Sequence, residues 1–369
     1  MSGEAVCPRQ AQTLCRPDRE DMALLRRFAA VKTAGRLTGI AIAAVGLLAA
    51  VSSVDAQRGV RRDAASPPAR EIPRTPWGDP DLQGVWPSGP LIEVPFERPA
   101  AFGTRDTLTD AEFAQRTAQI KAQSESDAAE SGRDTAGSPA TAPPPHWLER
   151  GVATRQASLI VDPPDGRLPP MTEDGARRAA RWRTTSAESY LFESPADLTP
   201  YDRCITRGVL GSTFPNIYNT GIQIVQVPGA VILRYEMVHE TRIVPLDGRP
   251  HLPPALRSYM GDPRGSWDGG TLVIDTTNFN GRTGSLGRNG NGNPTSEALH
   301  LVERFTLIDA NRLQYEVTIT DPQTWTRPWT ARFPLARNDG YAMYEYACHE
   351  GNYAMRNSLS AARARERAK

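Results

Sequence analysis

The sequence lacks a surplus of either charge, with 43 lysine and arginine residues against 42 aspartate and glutamate. So even a balance builds no field to gather nucleic acid or an anionic membrane, and neither partner is expected. It also lacks a Ser-centred GxSxG elbow, a Rossmann glycine pattern and the kinase motif set, which disfavours α/β-hydrolases and nucleotide enzymes. No HExxH and no paired CxxC supplies metal-ligand spacing, so no metal and no cofactor is expected. His239 and His251 stand apart across a turn, and adjacent His349 and Glu350 point apart in an extended segment. Apolar residues make up only 39% of the chain, while prolines number 32 and glycines 30. That is less core material than 369 residues normally carry, so part of the chain is expected to be linker.

One apolar run stands out, Leu37 to Val51, behind Arg26, Arg27, Lys32 and Arg36. Val54-Asp55-Ala56 follows as a small-x-small cleavage pattern. Together these describe a secretory signal over 1–56, with export to the periplasm or beyond and a mature chain from Gln57. The alternative is an uncleaved inner-membrane anchor, since about 18 residues reach the lower edge of a membrane span. Met22 opens a complete signal by itself, which makes residues 1–21, with Cys7 and Cys15, a dispensable extension.

Only Cys204 and Cys348 then remain in the exported part. Two thiols in an oxidising compartment favour one disulfide. Closing a loop of about 145 residues stabilises by roughly 5 kcal/mol at most in the chain-entropy model. A buried free pair, or thiol or metal chemistry at Cys348-His349-Glu350, are the competing readings.

Along the chain, 57–74 lacks apolar periodicity and is expected to be a disordered tether. Residues 75–200 are helical or irregular, with a mobile loop at 121–145 that is small, polar and proline-ended. Helix starts are signalled at Thr109, with Glu112 as its capping-box partner, and at Thr172, followed by acids and then arginines. A third, shorter helix is expected at "LTPYDRCITRG", with Thr199 as cap and Gly208 after its end. From residue 221 the texture changes to short β-branched or aromatic runs: "IQIVQVPG", "AVILRYEMVHE", "TRIVPLDG", "GTLVIDTTNF", "LHLVERFTLID", "RLQYEVTIT", "WTARFPLA" and "YAMYEYA". Period-two alternation and turn chemistry between them predict an antiparallel meander over 201–359. Closure would remove its edges, so a mainly β fold with an eight-to-ten-stranded, lipocalin-like barrel and a few peripheral helices is expected, ahead of a sandwich. In such a barrel the first and last strands adjoin, which would bring Cys204 and Cys348 together at the seam; 360–369 would be a tail.

The segments "TPWGDPDLQGVW", "YDRCITRG", "YEMVHETRIVPLDGRPHL", "GDPRGSWDGGTLVIDTTNF", "DPQTWTRPWT" and "YEYACHEGNYAM" resemble a large family of exported, uncharacterised bacterial proteins, over about residues 73–359. The resemblance implies export but no activity. Gly84-Val85-Trp86 resembles the Gly-x-Trp opening of lipocalins, whose Trp closes one barrel end.

Two clusters carry candidate chemistry. Glu236, His239, Glu240 and Arg242 sit where one strand turns into the next, and a histidine held by carboxylates can act as a general base. Solvated hairpin charge is the plain reading of the same residues. Asp247, Arg249, His251, Asp262, Arg264, Trp267 and Asp268 flank one connection and could meet at a barrel mouth, with His251 as proton carrier; turn chemistry is again the plain reading. Trp267, Tyr315, Trp325, Trp329, Tyr344 and Tyr346 could line a ligand cavity or simply fill the core. Residues 281–294 suggest a flexible hairpin or lid. The function expected is binding of a small organic molecule; the alternative is a cofactor-free isomerase, lyase or hydratase using a pocket histidine and carboxylates, with a structural envelope role behind both. A histidine and a carboxylate from different strands converging in a closed pocket would favour the enzyme.

Overall fold

The computed structural model describes residues 72–130, 148, 150–185, 192–282 and 295–368. The apolar run, the cleavage pattern, most of the tether and residues 283–294 of the glycine-rich connection lie outside the described residues. No helix among those described is long and apolar enough to cross a membrane.

Ten strands form two antiparallel sheets: β1 (Gly84–Val85), β2 (Ile160–Asp162), β3 (Ile222–Val227), β4 (Ala230–Tyr235), β5 (Thr241–Pro245), β6 (Asp262–Asp268), β7 (Thr271–Thr277), β8 (His300–Asp309), β9 (Arg312–Thr320) and β10 (Trp329–Ala336). The first sheet runs β1-β3-β4-β5 and the second β2-β10-β9-β8-β7-β6. Among the described residues four α-helices accompany them: α1 (Asp110–Glu130), α2 (Glu173–Thr185), α3 (Gly208–Thr213) and α4 (Ala354–Arg367).

The expected barrel does not form. Neither sheet closes, and each is an open array. The reason lies at β5 and β6, consecutive strands that lie side by side without a ladder. A Cβ placed on Gly265 of β6 would meet the side chains of Leu246 and Val244 at 2.5 and 2.8 Å. Val244 of β5 and Leu246 just beyond it thus press directly on the β6 backbone, where a barrel would need edge-to-edge hydrogen bonds. Pro245 and Pro263 also remove donors from these two edges. At the other end β1 and β2 are recruited from the first half of the chain, so the meander's end strands never adjoin.

Alternation nevertheless works as expected strand by strand. Along β8, β9 and β10 buried and partly exposed positions alternate almost without interruption. The inward residues of both sheets share one core, including Ile224, Leu233, Ile274, Phe305, Tyr315 and Phe333. Within it Arg242 of β5 and Glu303 of β8 make a bidentate pair (Nη2–Oε2 2.6 Å, Nη1–Oε1 3.1 Å), both essentially without solvent access. Tyr235 and Tyr315 hydroxyls and Thr276 add hydrogen bonds to the pair, while Arg242 Nε is left buried without a partner among the described residues.

The capping signals at Thr109 and Thr172 hold. Thr109 and Glu112 bond reciprocally through backbone N–H groups, and the Gly175 N–H donates to Thr172 Oγ1. Helix α1 continues to Glu130, into the stretch expected to be a loop. Around Cys204 the chain forms a hydrogen-bonded turn, with Thr199 and Asp202 capping it reciprocally; Gly208 opens helix α3 instead of ending a helix. "DPRGSWD", read as turn chemistry, is strand β6, whereas "YAMYEYA" pairs with no strand. The expected tail from 360 is the second half of α4.

Candidate functional site

Two places collect polar side chains. The first is the outward face of the second sheet. Inward Leu272, Ile274 and Thr276 leave Asp275 pointing out of β7, opposite Arg264 in the β6 ladder and diagonal to His300 on β8. The 246–261 connection lays His251 across them. Its Nδ1 lies 3.1 Å from Asp262 Oδ2 and its Nε2 2.9 Å from Asp275 Oδ1. His300 Nε2 meets the other Asp275 oxygen at 2.9 Å, and Arg264 Nη1 pairs with Asp262 Oδ1 at 2.6 Å. The expected trio His251, Asp262 and Arg264 is therefore together, extended by Asp275 and His300. Sequence reading missed those two; the only signal was Asp275 interrupting a β-branched run on its polar phase.

Chemically this chain is a clamp. Both His251 nitrogens are directed at carboxylates, so neither faces open space where a substrate proton could be taken, and Asp262 also accepts the Leu252 N–H at 2.8 Å. The hydrogen bond to Asp275 raises the His300 imidazole pKa against the opposing effect of burial. The same bond lowers the Asp275 carboxyl, with burial again opposing and His251 adding to the lowering. His300 Nδ1 has no partner among the described residues. No group of three or more His, Cys, Asp or Glu side chains among them is disposed to hold a metal ion.

The second place is where the C-terminal segment crosses the turn at 199–205. Cys204 and Cys348 are joined by a disulfide, with Cα atoms 5.6 Å apart. The bridge was expected, but it is not a barrel seam: it ties an irregular segment to a turn. Glu236 is not a catalytic candidate in this setting. It is buried and accepts from Asn219 Nδ2 (3.0 Å), the Gly221 N–H (3.2 Å), the Tyr341 hydroxyl (2.9 Å) and the Tyr344 N–H (3.0 Å). Its carboxylate is saturated, and it anchors the segment. His239 leaves the strand in a tight turn at positive φ and places Nδ1 3.0 Å from the Tyr346 carbonyl. Glu240, its neighbour, is half-buried, and that desolvation pushes its carboxyl up against hydrogen bonds from Thr206 and the Arg207 N–H.

Between the turn and the segment lies an open cleft of about 440 Å3, walled by Tyr201, Asp202 and Asn219 on one side and Glu345 to Cys348, Asn352 and Ala354 on the other. Tyr201 spans it: its hydroxyl bonds those of Tyr346 (2.7 Å) and Tyr218 (3.0 Å). Burial, together with the neighbouring phenols, pushes the Tyr201 pKa up, and burial does the same for Tyr346 despite the bond from Tyr201, so both stay neutral. Of the aromatics expected to line a cavity, Tyr346 alone is at this cleft. Tyr315, Trp325 and Trp329 are fully buried and packed at ring distances of 4.9 to 5.8 Å, and Trp267 packs against the core. They fill space in the core.

No family model matches the chain, and neither a curated protein nor a solved structure matches it.

Proposed function

We propose that this protein is exported and binds a small organic molecule, without transforming it, in the cleft between the 199–205 turn and the C-terminal segment. The bracing of that cleft carries the reading. Its two walls come from positions about 145 apart in sequence and are fixed to each other by the disulfide, the Tyr201–Tyr346 hydroxyl bond, and Asn352, whose Nδ2 reaches the Asp202 carbonyl and Cys204 Sγ at 3.0 Å each. A pre-formed concavity with few ordered polar groups is what small-molecule recognition uses. The disulfide suits an oxidising compartment, and the apolar run at Leu37–Val51 supplies the means of export. Two of the motifs shared with the exported bacterial family, "YDRCITRG" and "YEYACHEGNYAM", form the two walls, and we read the chain as a member of that family.

The test is to express the full chain with its own N-terminus, recover it from the periplasm and identify co-purifying small molecules by mass spectrometry. Ala347→Trp, placed to fill the cleft, should abolish retention of that molecule while leaving the melting temperature unchanged. Retention equal to that of the parent protein would remove the cleft from the reading.

The acid–base alternative keeps one specific observation, His300, oriented by Asp275 through Nε2 with Nδ1 turned away from any described partner. It has no closed pocket around it. If the captured molecule is converted on incubation and His300→Gln stops the conversion, the enzyme reading replaces binding.

A further inference from the structure

Resting on the cleft reading, we infer that the molecule bound there is a small organic cation carrying N–H donors, an amine in its ammonium form. The inference comes from an inventory of what the cleft walls still have to offer. Most of their side-chain donors are already engaged. Asn352 Nδ2 spends both hydrogens on the Asp202 carbonyl and Cys204 Sγ, Asn219 Nδ2 is turned to Glu236, and the phenols of Tyr201 and Tyr346 bond each other. The acceptors are not. Asp202 uses Oδ2 to cap the turn, receiving the Thr199 N–H and hydroxyl, while Oδ1 has no partner among the described residues. The Glu345 carboxylate makes no hydrogen bond or ion pair among them. No lysine or arginine lines the cleft.

A ligand that satisfies these carboxylates must give hydrogen bonds, since they only accept, and a positive charge complements theirs. Arg207 opposes this. Its guanidinium lies 4.8 Å from the centre of the Tyr201 ring, is nearly buried, and forms no ion pair among the described residues. It is outside the cleft lining, and two carboxylates within the lining outnumber it.

A matched series varies charge while holding shape: benzylamine, benzyl alcohol and benzoate, titrated calorimetrically into the oxidised full-length exported protein. Exposed ion pairs contribute modestly, so benzylamine should bind about five- to tenfold more tightly than the alcohol, with benzoate weakest. Glu345→Gln, which breaks no bond within the described structure, should weaken benzylamine about two- to fivefold and leave benzyl alcohol unchanged. Benzoate binding as tightly as benzylamine, or an amine-to-alcohol ratio unmoved by Glu345→Gln, overturns the cation assignment while the cleft reading stands. Binding of none of the three, with no molecule co-purifying, overturns both.

Discussion

Replacing Arg242 by Met would strand Glu303 in the core. The carboxylate now receives two guanidinium hydrogen bonds and one from the Tyr315 hydroxyl, with no exposure to water. Burial alone would lower the Arg242 pKa, yet the Glu303 charge more than compensates and holds the guanidinium above its ordinary value. Breaking such a pair from one side costs about 3–5 kcal/mol, because an uncompensated charge is left behind. For the roughly 260 described residues, an unfolding entropy near 2.1 cal/mol/K per residue converts this to a fall in melting temperature of about 5–9 °C. Glu303→Gln added to Arg242→Met removes the stranded charge and leaves an amide oxygen for Tyr315. The double variant should therefore recover at least half of the loss. The assay is a double-mutant cycle by urea unfolding followed by circular dichroism. A double variant as unstable as the sum of the two single variants would refute the coupling and assign the effect to lost volume.

Three further outcomes are expected. Peptide mapping without reductant should link Cys204 to Cys348, and reduction should lower stability by a few kcal/mol, with about 5 as the upper bound set by the loop length; free labelling of both thiols in oxidised protein would contradict the bridge. NMR titration of His300 should give a pKa above the usual imidazole value, and Asp275→Asn should return it towards that value. Asp275 is depressed and His300 raised, so their mutual stabilisation is complete between about pH 4 and 6.5, fading in acid as Asp275 protonates and in base as His300 loses its proton; a flat stability profile across both limits would deny the coupling. His251→Ala should increase amide hydrogen exchange in 246–261 without altering capture of the cleft ligand, whereas loss of capture would tie the outer-face network to function.

Strand positions were legible because burial alternates with period two, and seven of the eight runs picked out on that basis contain strands. "YAMYEYA" shows where the signal fails. Its aromatics suit a strand, yet no edge was left for it, and Glu236 fixes it instead through Tyr341 and Tyr344. β6 was missed because Asp-Pro and Gly within it imitate turns, while the Gly265 that weakens the local pattern is required for Val244 and Leu246 to pack. Closure is a global property. It depended on which edges meet, and two- and three-residue strands from the first half took the places assigned to the meander's ends. The disulfide was foreseen from compartment and count, though the barrel geometry invoked for it was wrong. His251, Asp262 and Arg264 were close in sequence and therefore visible; Asp275 and His300 join them only through strand register.

The open seam between β5 and β6 has a consequence for life at high concentration. An unclosed sheet ordinarily exposes a row of free donors and acceptors on which another chain can nucleate. Here one end of each sheet is a strand of only two or three residues, and the other carries a proline, Pro245 or Pro263, beside side chains that already cover the backbone. At the outer edges of β5 and β6 a passing strand meets a template interrupted by proline. What keeps the two sheets from joining each other also blunts those two edges, without the fold needing to become a barrel.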